Sequence, residues 1–110
     1  MPRINQITAI KSTQLTAAGV ADNIADTKGA SSLSCEFVVA AINTNVIVRL
    51  EFSHDRAFAS GVYFTPDLTI TANGNYAISS APVKRYCRAR FVSEAGGTAA
   101  TVDVNMNIFN

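Results

Sequence analysis

The sequence predicts an all-β fold, a single antiparallel β-sandwich of jelly-roll-like or immunoglobulin-like topology. Three observations carry this reading. Apolar residues recur with a period of two in several short runs, the register of half-buried strands. Clusters of Gly, Asn, Asp and Pro separate these runs at intervals of roughly 8–12 residues, the spacing of sandwich and small-barrel strands. The chain has 110 residues, 48% of them hydrophobic, enough for one core and too few for two. Two sheets that each bury one face account for alternation without long apolar runs.

In chain order, residues 4–10 mix Ile and Thr with polar side chains and read as an edge strand or an arm that pairs with a neighbour. Residues 1–14 are assigned to that arm and residues 15–110 to the sandwich. Residues 14–27 carry the widely spaced Leu15, Val20 and Ile24. A helix over 17–24 would be weakened by Gly19, so an extended segment is preferred. A turn at Asp26-Thr27-Lys28-Gly29 follows. Leu33, Cys35, Phe37 and Val39 then share one parity, and after Asn43-Thr44-Asn45 the pattern repeats in Val46, Val48, Leu50 and Phe52. These two runs read as an antiparallel pair at the centre of a sheet. Residues 57–66 hold Phe58, Val62, Tyr63 and Phe64 without clean period, a strand broken by a bulge or a loop with packed aromatics. Leu68 and Ile70 form a short strand. Asn73-Gly74 suits a type I′ hairpin turn, with Tyr76 and Ile78 beyond it. Pro82 closes that unit, since proline cannot donate in a central ladder. The clearest alternation spans residues 82–109: Cys87, Ala89 and Phe91, then Ala100, Val102, Val104, Met106 and Ile108, separated by a polar break around Gly96-Gly97. It reads as a C-terminal hairpin with one apolar face.

Charged residues make up only 15% of the chain and the net charge is +1. That fraction is low for the surface of a soluble monomer and implies that neighbours cover part of the surface. The near-neutral balance gives no general attraction to nucleic acid or to an anionic membrane. No run approaches the roughly 18 apolar residues of a membrane helix. The first residues lack the apolar core of a signal peptide, so cytoplasmic synthesis is expected. Two cysteines are too few for the disulfide framework of a secreted domain.

Nothing in the sequence marks a catalytic centre, a cofactor site or a metal site. Cys35 and Cys87 both fall on inward parity. They could bridge two sheets as in antibody-like sandwiches, but buried free thiols are the preferred reading. His54, the single histidine, sits with Asp55 and Arg56; an acid–base pair is conceivable, but nothing marks a nucleophile and a solvated turn is the preferred reading. Glu36 and Glu51 take outward parity and could lie near each other or near Arg49, with cross-strand Glu–Arg pairing as the preferred account. Lys84, Arg85, Arg88 and Arg90 form the densest basic cluster, and Arg88 and Arg90 share one face of a strand. Without a Gly-rich basic loop or an RNA-stacking aromatic pair, they suit ion pairing within the chain or across a subunit interface better than phosphate. Val38, Ile47 and Phe109 point away from the core by parity. With the four basic residues they are the interface candidates.

The runs at residues 45–55, 69–76, 82–92 and 96–104 together resemble the strand and turn pattern of small tailed-bacteriophage structural proteins. The likeness spans roughly residues 15–107 and is one of strand and turn words, without a catalytic signature. It implies a β-sandwich in the virion, made in the host cytoplasm. The short chain favours a head decoration or cement subunit that stabilises contacts between major-capsid subunits. The partners would be the major capsid protein and copies of itself, as in decoration proteins that sit as trimers on the shell. A tail, connector or fibre component is the alternative. A carbohydrate- or host-surface-binding module using Tyr63, Phe64, Tyr76 and Tyr86 is the second alternative.

Overall fold

Each alternating run becomes a strand with one face buried. The computed structural model describes residues 7–21, 24–28 and 30–109, with the backbone alone for 7–13, and among these residues it is all-β. The first sheet holds β1 (Ile7–Leu15), β4 (Ser32–Ala40), β8 (Gly74–Ser80) and β10 (Thr101–Phe109) in the order β1-β10-β4-β8. The second is built around β5 (Asn45–Ser53) and β9 (Tyr86–Ala95), which pair with each other. The short β2 (Gly19–Val20) and β3 (Ala25–Asp26) pair with the far side of β9. The short β6 (Tyr63–Phe64) and β7 (Leu68–Ile70) pair with the far side of β5. All pairings are antiparallel. With β2/β3 and β6/β7 each taken as one interrupted strand, two four-position sheets face each other with jelly-roll connectivity.

The core lies between the sheets. Leu33, Cys35, Phe37 and Val39 of β4 and Val102, Val104, Met106 and Ile108 of β10 meet Val48, Leu50 and Phe52 of β5 and Cys87, Ala89 and Phe91 of β9, all of them buried. Phe37, Phe52 and Phe91 are the largest fully buried side chains. Burying each is worth about 1.5–3 kcal/mol.

The strands lie where the alternation puts them, but their partners differ from expectation. The runs at 32–41 and 46–52 do not pair: β4 and β5 lie in opposite sheets. The C-terminal run is likewise not a hairpin, because β9 pairs with β5 while β10 pairs with β1 and β4. Asn73-Gly74 also links different sheets, from β7 to β8. Its Asn73 carboxamide accepts a hydrogen bond from Ile42 N at 3.0 Å instead of closing a two-residue turn. The reason is common to all three. A chain that arches from one sheet to the other keeps its apolar residues on inward parity, and its break needs the same Gly and Asn residues as a hairpin.

The connections gather at two ends. Gly96 and Gly97 lie against Thr44 and Asn43, and Ile42 bonds Asn73, so residues 41–44, 71–73 and 96–98 share one end. No charged residue occurs in these three segments. At the opposite end the Thr27 hydroxyl donates to the carbonyls of Lys84 and Arg85 at 2.9 and 2.6 Å, and Lys84 Nζ donates to Gly61 O. The expected turn at 26–29 is there, with Lys28 N donating to Asp26 Oδ1 at 3.1 Å; Gly29, like residues 1–6 of the expected arm, lies outside the described residues. The backbone from Ile7 onward is β1, an edge strand paired within the chain to β10.

Candidate functional site

The outer face of the second sheet carries a carboxylate held by arginines. Register places Glu51 of β5 opposite Arg88 of β9, and Arg49 opposite Arg90. Glu51 is 1% exposed although it faces away from the core. Arg49 Nε and Nη2 donate to its Oε2 at 3.1 and 2.9 Å, and Arg88 Nε donates to Oε1 at 2.9 Å. Arg90 Nε lies 2.7 Å from Oε2 but off hydrogen-bonding geometry, so charge alone couples them. Burial pushes the Glu51 carboxyl up, but the bonds from Arg49 and Arg88 and the charge of Arg90 outweigh it and hold it below the usual carboxylate range.

Aromatic side chains cap this cluster. The Arg49 guanidinium lies 3.9 Å from the Phe64 ring centroid and that of Arg88 lies 4.1 Å from Phe58, both cation–π distances. Phe58 adopts a left-handed backbone, φ 54°, unusual for a bulky residue. It sits in a turn tied by the Asp55 carboxylate, which accepts from Ala57 N and Ala59 N at 3.0 and 3.2 Å. Phe64 is placed by β6 and by Thr65, whose hydroxyl accepts from Leu50 N at 2.9 Å. That hydroxyl extends the ladder to where Pro66, lacking an N–H, interrupts it. The alternation of β5 and β9 exposes the cluster's arginines to sequence reading; the capping Phe58 and Phe64 lie in the aperiodic stretch and carry no such signal.

The seven interface candidates divide between sites. Arg88 and Arg90 turn to Glu51 within the chain. Arg85 pairs with Asp26 at 3.0 Å at the charged end, beside Lys84. That pair is half exposed and holds the Asp26 carboxyl below its ordinary value. Ile47 is half-buried on the outer face of the second sheet, next to a β-bulge at Val92. Val38 and Phe109 are half-buried on the outer face of the first sheet. Around Val38 that face is uncharged apart from Glu36 and Asp103, with Ser34, Asn75, Ala77 and Asn105 as its companions.

Cys35 and Cys87 are buried free thiols on facing sheets. Burial raises the Cys35 pKa to about 12 and that of Cys87 further. Among the described residues no three of His, Cys, Asp and Glu gather as metal ligands, and no helix is long and apolar enough to cross a membrane.

The strand edges differ sharply in protection. Among the described residues the second sheet ends in strands of two or three residues, and β1 has a bulge between Ile10 and Thr13. Short strands, bulges and lysines are the devices that block edge-to-edge pairing. By contrast β8, Gly-Asn-Tyr-Ala-Ile-Ser-Ser, has neither charge nor proline, and among the described residues it pairs in unbroken register with β4 on one side only.

No family model and no curated protein matches the chain. A solved chain from the Bacillus endospore appendages, described as a novel family of disulfide-linked pili, is similar in fold. It superposes with a TM-score of 0.54 at 13% identity, covering 96% of this chain and 85% of that one. At that identity the likeness concerns the fold.

Proposed function

We propose that this chain is a structural subunit that assembles with copies of itself, using β8 as its joining edge. The observation that carries the reading is that unprotected edge. A seven-residue strand free of charge, proline and bulge offers a row of backbone donors and acceptors to a second chain. The low charged fraction fits a surface covered by neighbours. So does Asp103 on the outer face of the same sheet, whose Oδ1 is shielded and lacks a hydrogen-bond donor among the described residues. A donor from a neighbouring copy would satisfy it.

The similar appendage chain belongs to a pilus, and this supports an external, repeating assembly for the present chain. A virion is the finer setting. As a capsid decoration or cement subunit, the protein would present the same edge to a copy of itself or to a major-capsid strand, and symmetry would multiply modest contacts into firm retention. The jelly-roll topology and the strand and turn pattern support that setting.

Electron microscopy of the purified full chain tests the proposal. Regular filaments, rings or arrays are the expected result; uniformly dispersed single particles at all concentrations would count against self-assembly. Binding of the chain to empty capsids, with raised shell stability, separates the decoration role from that of a filament.

A further inference from the structure

We propose that the pocket at the charged end of the sandwich binds a small ligand through an oxyanion, a carboxylate or a phosphate, with an apolar portion beside it. The pocket has a volume of about 410 Å³ and is formed by the β3–β4, β5–β6 and β8–β9 connections, within the range of small-ligand sites. Three connections distant in sequence bring Lys28, His54, Lys84 and Arg85 to its walls, and no carboxylate lines it. The chain's net charge is only +1, so this is a local concentration of charge and not a general excess.

The walls are held in advance. Thr27 is buried and its hydroxyl ties the β3–β4 turn to the carbonyls of Lys84 and Arg85. Lys84 Nζ is anchored on Gly61 O. Arg85 uses Nε and Nη2 on Asp26, which fixes the guanidinium and leaves Nη1 without a partner among the described residues. A charge-assisted donor fixed in this way costs little reorganisation when an anion arrives. Pro82 and Val83 supply the apolar flank, and Val83 is 46% exposed, among the most exposed large apolar side chains described. The Glu51 cluster differs, because all three of its arginines are directed at one buried carboxylate of their own chain, whereas among the described residues only Arg85 of the pocket has a carboxylate partner and Lys28 and Lys84 have none.

The test is a titration of the ¹⁵N-labelled chain followed by amide chemical shifts. Three probes separate the contributions: benzoate, inorganic phosphate and uncharged benzyl alcohol. Benzoate, phosphate or both should shift the amides of residues 27–28, 54 and 83–85 saturably, and benzyl alcohol should not. Saturation by benzoate alone identifies a carboxylated ligand, and saturation by phosphate alone a phosphorylated one. Lys28→Ala, an exposed change, should weaken binding about threefold, and Lys28→Ala with Lys84→Ala about tenfold or more. The variants' own spectra report whether they remain folded. The proposal is overturned if neither anion saturates these amides, if benzyl alcohol binds as well, if folded lysine variants bind unchanged, or if the shifts centre on Arg88 and Arg90.

Discussion

Replacing Glu51 with Gln keeps the side-chain volume and removes the one charge on which Arg49, Arg88 and Arg90 converge. After the change, Asp67, 3.7 Å from Arg49, is the only carboxylate of the cluster among the described residues. The amide retains one acceptor oxygen where the carboxylate offered two, and its N–H₂ group faces cations. Removing one partner of a fully buried ion pair costs about 3–5 kcal/mol. Here the arginine side chains keep 16–34% of their exposure, so water takes over part of the lost interaction. A loss of about 2–3 kcal/mol follows. For a domain of this size that lowers Tm by roughly 8–12 °C. The pH dependence has a definite sign. The folded pKa of Glu51 is depressed, so its stabilisation is complete above the unfolded carboxylate value of about 4.3 and is lost as pH falls through the folded value. Urea unfolding of wild type and Glu51→Gln at pH 7 and through the acid range measures both. The stability gap should be full at pH 7 and close in acid. A gap below about 0.5 kcal/mol at pH 7, the range of an ordinary surface change, or one that persists at the acid end, would refute the argument.

Two further outcomes follow from backbone geometry and burial. Gly96 has φ 83°, and a Cβ there would collide with Thr44 Oγ1 and lie 2.9 Å from Thr44 Cβ. Gly96→Ala should therefore cost about 2–3 kcal/mol, and Gly97→Ala clearly less, since its nearest contact is 3.2 Å to Asn43 Nδ2; equal urea midpoints for the two variants would contradict this. Cys35 and Cys87 should resist iodoacetamide at pH 8 in the native protein and react only as fast as it opens, because burial suppresses both the thiolate and access to it. Rapid labelling of either thiol without unfolding, read by mass spectrometry, would show that the core is not closed around them.

The inward residues were legible because period two is a local property. Leu33, Cys35, Phe37, Val39, Val48, Leu50, Phe52, Cys87, Ala89, Phe91 and the β10 series all lie in the core by simple parity. Strand pairing was not legible in the same way. Whether the chain at Asn43-Thr44, Asn73-Gly74 or Gly96-Gly97 folds back in its own sheet or crosses to the other depends on contacts between distant segments, such as Gly96 against Thr44. The Glu51 cluster was half legible. Arg49 stands two residues away on the same face, whereas Arg88 becomes a partner only through the β5–β9 register. The pocket at the charged end was the least legible, because Lys28, His54 and Lys84 come together through three separate connections. Lys84 and Arg85 stood out as basic residues, but nothing local linked them to Lys28.

Sedimentation velocity of the full chain beside an edge variant tests the central claim of assembly through β8 most directly. Asn75 and Ala77 are exposed on that strand, and Asn75→Lys with Ala77→Lys places two charges on the edge without entering the core. Wild type should sediment as concentration-dependent oligomers. The double variant should sediment as a monomer, with the unfolding midpoint of wild type diluted to its monomeric range. A wild type that stays monomeric throughout, or a folded double variant that assembles as readily, would contradict the account.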